Sequence, residues 1–312
     1  MENKHESVLL SEAVEALEVS PSDVVVDATI GGAGHFASLL GKLDTSGTLI
    51  GIDADADAIE RAKEAGRGAR AKVVLVHDNF RNLETILETA KVETIDKALF
   101  DLGWSSFHLT AGRGFSFRAE EPLHMTYGSP EEGTTAADMV NDLSETSLAD
   151  LIYTLGEEHF SRGIARSIVA ARSVEPILTT GQLVAAIEAG VPGWYKKRRI
   201  HAATKTFQAL RIAVNDELGA LREGLAAAIA KLSDGGRVAV ITFHSIEDRI
   251  VKSMLRDAAH AGQGTVITKK PIIPTSDEST RNPRARSAKL RVFERSARAA
   301  ALITSSSLAL YA

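Results

Sequence analysis

Val24-Val25-Val26-Asp27-Ala28-Thr29-Ile30-Gly31-Gly32-Ala33-Gly34-His35-Phe36 is the stretch that decides the fold. Three consecutive β-branched residues make a short apolar run without alternation, as in a strand covered on both faces. The run ends in an acid and enters a glycine-rich turn. An apolar helical pattern follows over residues 36–43. A strand that passes through a tight glycine turn into a helix is half of a βαβ unit.

Outward from that stretch the rhythm repeats. Residues 48–52 predict a second strand ending at Asp53, residues 58–65 a helix, and residues 73–76 a third strand ending near Asp78. Residues 83–90 predict another helix, and residues 97–102 a fourth strand with Asp101 in its last turn of sequence. Alternation at this spacing predicts a parallel sheet with crossover helices. The next strand of the same kind is residues 237–242, after Asp234-Gly235-Gly236. One crossover takes ~30 residues, so most of the gap is an insertion. Phe207, Leu210, Val214, Leu218, Leu221, Leu225, Ile229 and Leu232 recur at three and four and predict one long helix leading into the fifth strand. The expected organisation is therefore a sheet domain of residues 1–109 and 204–312 with a helical insertion over 110–203. Within the insertion, Leu148, Leu151, Ile152 and Leu155 share a helix face, as do Phe160, Ile164 and Ile168, and Thr179-x-x-Gln182 reads as a capping box. Residues 265–268 and 289–294 predict an antiparallel pair at the sheet edge, separated by an irregular arginine-bearing loop over 271–287.

With 44% hydrophobic residues the chain has material for a core, and with no cysteine it has no disulfide, cysteine-ligated zinc or cysteine nucleophile. The opening MENKHESVLL lacks an apolar run behind a basic patch, and no segment offers the ~20 apolar residues of a membrane span. The expectation is a cytoplasmic protein without a membrane partner. The net charge of −5 is unevenly spread. Between Lys269 and Arg298 nine basic residues stand against three acids, and Arg284 and Arg286 lie in that segment. A second basic cluster comprises Lys196, Lys197, Arg198, Arg199, His201, Lys205 and Arg211. Cations gathered on an otherwise acidic chain are the footprint of a polyanion such as RNA.

Gly32-x-Gly34-x-x-Ala37, with Asp53 beyond it, formally matches a dinucleotide fingerprint. Charge separates the possible ligands. A pyrophosphate wants backbone N–H groups and no competing anion, yet Asp27 closes the strand just before Gly31. A carboxylate there attracts a cation, which favours S-adenosylmethionine, with its ammonium and sulfonium, over a nicotinamide cofactor. Asp53 suits ribose hydroxyls, and Asp78 or Phe80 is placed to flank the adenine. Asp101-Leu102-Gly103-Trp104-Ser105-Ser106 follows the fourth strand at the lip of the same crevice. The sulfonium methyl is already electrophilic, so no metal is expected. An amine whose lone pair is delocalised needs an acceptor for its N–H, and Asp101 is a candidate. Trp104 is a candidate for stacking on a base, with Ser105 and Ser106 beside it, and His244 after the fifth strand faces the crevice by topology.

Seven stretches carry a more specific signal. They are His5-Glu6-Ser7-Val8-Leu9-Leu10, residues 27–35, residues 101–106, Arg113-Gly114-Phe115-Ser116-Phe117-Arg118, residues 206–218 (TFQALRIAVNDEL), residues 243–249 (FHSIEDR) and residues 282–290 (NPRARSAKL). In order and spacing the chain resembles the bacterial 16S rRNA cytidine-N4 methyltransferase family (RsmH, also called MraW). The resemblance implies an α/β class I, Rossmann-like S-adenosylmethionine-dependent methyltransferase sheet with an inserted helical substrate-recognition domain. It implies methylation of the exocyclic N4 amine of a cytidine in the decoding region of 16S rRNA, in the setting of the small ribosomal subunit. Family cofactor contacts fall on Ala33, Gly34, His35, Asp53, Phe80, Asp101 and His108, beside Asp27 and Gly31 of the turn. Arg113, Arg284 and Arg286 are expected on the RNA side. Asp101, His244 and Asn215 are the candidates to receive the proton. The chain departs from the family pattern at Ala33, where glycine is usual, at His108, where glutamine is usual, and at Trp104, Phe107, His124 and Thr126. Those departures also suit a catalytically altered, methyltransferase-like RNA-binding or ribosome assembly factor.

Overall fold

The structure, a computed structural model, describes residues 6–103, 112–128, 131 and 133–296. The chain divides into two compact units, Met1–Trp104 with Gly219–Ala312, and Ser105–Leu218.

The first unit opens with α1 (Leu10–Leu17), β1 (Val24–Asp27), α2 (Gly34–Leu40), β2 (Thr48–Asp53), α3 (Ala56–Ala65), β3 (Lys72–His77), α4 (Leu83–Thr89) and β4 (Ile95–Asp101). In the second unit lie α5 (Ala136–Asp142), α6 (Glu145–Gly156), α7 (Ser161–Arg172), α8 (Thr180–Ala189), α9 (Gly193–Lys196) and α10 (Thr204–Val214). The chain continues through α11 (Glu217–Lys231), β5 (Leu232–Thr242), α12 (Ser245–His260), β6 (Gly264–Val266), α13 (Ser276–Arg281) and β7 (Lys289–Arg295). The strands form one seven-stranded sheet in the order β3-β2-β1-β4-β5-β7-β6. β1 to β5 run parallel, and β7 pairs antiparallel with β5 and β6. This is the α/β, Rossmann-like sheet that the resemblance implied.

Helices cover both faces, which is why the strands read as unbroken apolar runs. Val25, Leu49, Leu99, Ala239, Ile241, Leu290 and Val292 point into one core with α1, α2 and α3. Their neighbours Val26, Ile50, Ala98, Phe100, Val238, Val240 and Phe293 point into the other, against α4, α11 and α12. Each fully buried Leu, Ile or Phe contributes about 1.5–3 kcal/mol, while an exposed ion pair contributes about 0–1 kcal/mol. The two apolar faces therefore fix the sheet. Gly51 shows how closely they pack: a Cβ there would lie 2.8 Å from the Phe36 ring and 2.9 Å from Ile30.

The second unit has a core of its own, in which Leu148, Ile152, Ile164, Ile168, Leu183 and Ile187 meet Phe207 and Leu210. The stripe that predicts one helix from Phe207 to Leu232 is in fact carried by two. Asp216 adopts the left-handed conformation (φ 43°), and the helix ends at Val214 and restarts at Glu217. Asn and Asp tolerate that conformation better than other side chains, so the apolar spacing continues while the backbone turns. The loop expected over 271–287 is also partly helical. The Thr275 side chain accepts from the Glu278 amide to start α13, and Pro283 opens a short 3-10 turn, Pro283–Ser287. Among the described residues no helix is long and apolar enough to cross a membrane.

Candidate active site

Strand register sets three carboxylates at one end of the sheet. Asp27 pairs with Gly51 on β2 and with Leu99 on β4. Asp53 and Asp101 each lie two residues beyond those partners, hence on the same face and one pleat further along. The turn after β1 ties the three together. Asp27 Oδ1 accepts from the Thr29 amide (3.1 Å), Thr29 Oγ1 accepts from the Asp101 amide (2.6 Å), and Asp53 Oδ2 accepts from the Gly31 amide (2.8 Å). Asp53 Oδ1 also accepts from the Asp55 amide (2.9 Å), and the Arg61 guanidinium donates to the Gly31 carbonyl (2.9 Å). Ala33 closes the turn in the left-handed conformation (φ 63°) as the N-cap of α2. Gly34 follows, so close to the Ser7 side chain that a Cβ there would collide with it.

His35 is buried on the first turn of α2, with Nδ1 3.4 Å from Asp101 Oδ2. Burial pulls the imidazole pKa down, but the hydrogen bond and charge of Asp101, together with the charge of Asp27, raise it above its ordinary value. Asp27 is 0% exposed. Burial raises its carboxyl from 3.8 to about 7, with His35 and the Thr29 amide opposing and Asp101 and Asp53 adding to the rise. Among the described residues, Asp27 Oδ2 and Asp101 Oδ1 are the buried carboxylate oxygens that lack a hydrogen-bond partner. An unsatisfied buried carboxylate is costly. Two beside one turn fit a ligand that brings hydrogen-bond donors and positive charge, and they do not fit a phosphate.

Past β3, Asp78 is occupied by its own turn, accepting from the Asn79 amide (2.6 Å) and Asn82 Nδ2 (2.9 Å). Phe80 stands edge-on to Phe100, with ring centroids 5.5 Å apart, and a Cβ on Gly224 would lie 2.6 Å from its ring. Of the two residues considered for the adenine, Phe80 thus offers the apolar surface. Trp104, Ser105, Ser106, Phe107 and His108 lie outside the described residues.

His244 starts α12. Its Nδ1 accepts from the Glu247 amide (3.3 Å), Glu247 Oε2 accepts from the His244 amide (3.3 Å), and Nε2 lies 3.2 Å from Glu247 Oε1. The ring is therefore used as a cap. Beside it a cavity of about 290 Å³ is lined by Phe243, His244, Ser245, Ile273, Pro274 and residues 286–289, so Arg286 and His244 line one cavity. Arg284 is exposed on the same 3-10 turn.

Asn215 and Arg113 belong to the second unit, where both secure Tyr127. The Tyr127 amide donates to Asn215 Oδ1 (2.9 Å), and Arg113 Nη1 donates to the Tyr127 carbonyl (2.8 Å). Asn215 Nδ2 donates to the carbonyls of Met125 (2.8 Å) and Arg211 (2.9 Å). The Tyr127 hydroxyl donates to Glu217, which also receives Arg211 (2.8 Å each). Thr29 and Tyr127 are organising residues that sequence reasoning missed. Thr29 carried a signal, as a hydroxyl two residues past a strand-end Asp, whereas Tyr127 carried none.

The model of a family described as the MraW methylase family matches residues 2–296. The ribosomal RNA small subunit methyltransferase H of Deinococcus radiodurans is 51% identical over 294 residues, which is 94% of this chain and 90% of that one. The protein of the same name from Brevibacillus brevis is 43% identical over 307 residues, 93% of this chain and 98% of that one. Among solved structures, an rRNA methylase from Streptococcus thermophilus aligns over 92% of this chain and 93% of its own, with 14% identity and a TM-score of 0.41.

Proposed function

The chain belongs to the MraW methylase family, and from that premise we propose that it transfers a methyl group from S-adenosylmethionine to the exocyclic N4 amine of a cytidine in 16S rRNA, in the cytoplasm. The observation that carries the cofactor is the partnerless, fully buried Asp27 Oδ2 at the end of β1. It offers a counter-charge to an ammonium group. Asp53, held in place by the amides of Gly31 and Asp55, is the carboxylate that receives the ribose diol. Phe80 presents its ring to the adenine, and residues 31–35 form the wall of the turn. When bound, S-adenosylmethionine supplies an electrophilic methyl group.

Asp101 does the remaining chemistry. Its Oδ1 accepts a hydrogen bond from the cytosine N4–H, which concentrates the nitrogen lone pair and gives the departing proton a destination. His35 holds Oδ2 and turns the carboxylate toward the substrate. Asp101 is favoured as the acceptor because its Oδ1 has no partner while His35 holds Oδ2, and because the Asn215 amide is spent on residues 125–127. Arg113 in the helical unit and, separately, the exposed Arg284 and Arg286 of the first unit are the cations offered to the RNA, the target being presented in the small ribosomal subunit. The test is transfer from labelled S-adenosylmethionine to small subunits lacking base methylation, followed by nucleoside analysis. N4-methylcytidine is expected, and Asp101→Asn should lower the transfer rate far more than cofactor affinity. Cofactor binding without transfer to any subunit preparation would overturn the proposal.

A further inference from the structure

The basic run Lys196, Lys197, Arg198 and Arg199 is exposed throughout, and among the described residues no acidic side chain forms an ion pair with any of the four. Immediately before it, on α9, Trp194 is 61% exposed. An indole left in water is unusual, because a tryptophan gains most of its free energy by burial. This one is also held in place. Its ring meets Phe160 (5.8 Å, 71°) and Tyr195 (5.7 Å, 84°) edge-on. Tyr195 is buried and donates its hydroxyl to Glu158 Oε2 (2.5 Å), while Glu158 Oε1 accepts from the Phe160 amide (2.9 Å). One fully buried carboxylate thus fixes both aromatic supports, and the Arg198 guanidinium lies 5.3 Å over the Tyr195 ring. The arrangement is a supported aromatic edge followed in the chain by four cations without acidic partners among the described residues.

We propose that Trp194 is a stacking platform for one unpaired base of the RNA, and that Lys196, Lys197, Arg198 and Arg199 hold the phosphates on either side of that base. A flat ring beside cations without acidic partners is how proteins grip single-stranded nucleic acid, since every base offers a π-face and every linkage a charge. The uncompensated charge selects a polyanion over a protein partner. A mobile indole would lose entropy on stacking, whereas the Phe160–Tyr195 support has removed that cost in advance. The inference rests on the substrate being RNA, as proposed above, and adds a contact outside the reacting nucleotide.

The test uses the full chain, a labelled oligocytidylate strand and a strand of equal length with abasic sites. Trp194→Ala should weaken binding to the normal strand about tenfold and leave binding to the abasic strand unchanged, while Trp194→Phe keeps most of the affinity. Replacing Lys196 and Arg199 by Ala should lower the slope of log affinity against log salt by about 1.4, two single-strand phosphate contacts at about 0.7 each. Equal binding by Trp194→Ala and the unaltered protein would overturn the inference, as would an equal loss on both strands. Cofactor affinity and the melting temperature of each variant identify a folding failure, in which case Trp194→Phe and the lysine–arginine pair decide. The two proposals fail separately. Transfer to small subunits with no Trp194 dependence of binding removes the platform alone. A Trp194-dependent strand affinity without transfer to any subunit removes the reaction alone.

Discussion

Replacing Asp27 by Asn should make the cofactor-free protein more stable and a worse binder of S-adenosylmethionine. The carboxyl titrates at about 7 in the fold instead of 3.8. At ~1.4 kcal/mol per unit, its ionised form costs the cofactor-free fold about 4 kcal/mol relative to the unfolded chain. The sign follows from proton binding. Between pH 3.8 and about 7 the folded protein holds this proton more firmly than the unfolded chain does, so stability falls as pH rises through that window and levels off above it. His35 acts in the same direction. Its pKa is raised, so its contribution is complete below 6.5 and is lost as pH climbs through the higher folded value. Asn keeps the shape of Asp27 and the bond from the Thr29 amide, but it puts an amide nitrogen where Oδ2 has no partner, at about 1–3 kcal/mol. The balance is a gain of about 1–3 kcal/mol at pH 8 and little change at pH 5. Affinity moves the other way, because a buried charge-assisted bond worth about 1.5–3 kcal/mol is lost, which corresponds to roughly ten- to hundredfold weaker binding. Thermal melts at pH 5 and 8, with titration calorimetry of each protein, read both effects. A variant that melts lower than the parent at pH 8, or that binds the cofactor unchanged, would refute the assignment of Asp27 as the buried counter-charge.

Ala33→Gly should raise the melting temperature, since Ala33 sits at φ 63° and a left-handed non-glycine residue costs about 1–2 kcal/mol, more than the backbone entropy glycine adds. Asp53→Ala should weaken cofactor binding in calorimetry, because it removes the acceptor of the Gly31 and Asp55 amides as well as the ribose partner; unchanged affinity would exclude the ribose role. His244→Ala should cost about 1 kcal/mol of stability through the lost cap and leave cofactor affinity intact; a collapse of methyl transfer without a change in melting would move the proton acceptor from Asp101 to His244.

The sheet was readable because parallel strands buried on both faces leave continuous apolar runs, and because a strand-to-helix turn needs glycine. The same logic exposed Asp27, Asp53 and Asp101, since an acid closing an apolar run has few other reasons to be there. What stayed hidden depends on partners distant in sequence. Asn215 looked available for chemistry, but its amide fastens residues 125–127, ninety positions away for Met125. The Glu158–Tyr195 pair, which makes Trp194 rigid, joins residues 37 positions apart. The helix break at Asp216 was invisible for a different reason: apolar spacing reports which face is buried, and that face continues across the break. The start of α13 was legible and overlooked, since Thr275-Ser276-Asp277-Glu278 has a capping hydroxyl followed by acids in the first turn.

Buried acids elsewhere in the chain show why the strand-end site stands apart. Asp248 receives Lys289 (2.9 Å) and Arg291 (2.7 Å), and Glu278 receives the Leu9 amide (2.8 Å). Glu158 receives the Tyr195 hydroxyl and the Phe160 amide, and Glu247 accepts the amides of Phe243 and His244. These acids are matched to donors within the protein, as stability requires. Asp27 and Asp101 each keep one oxygen unmatched, and the left-handed Ala33 closes the turn that follows Asp27. A fold that supplies partners for its other buried acids would gain stability by supplying them here too. That it leaves these two oxygens open beside a strained turn is the physical argument for the proposal that cofactor and substrate are their partners.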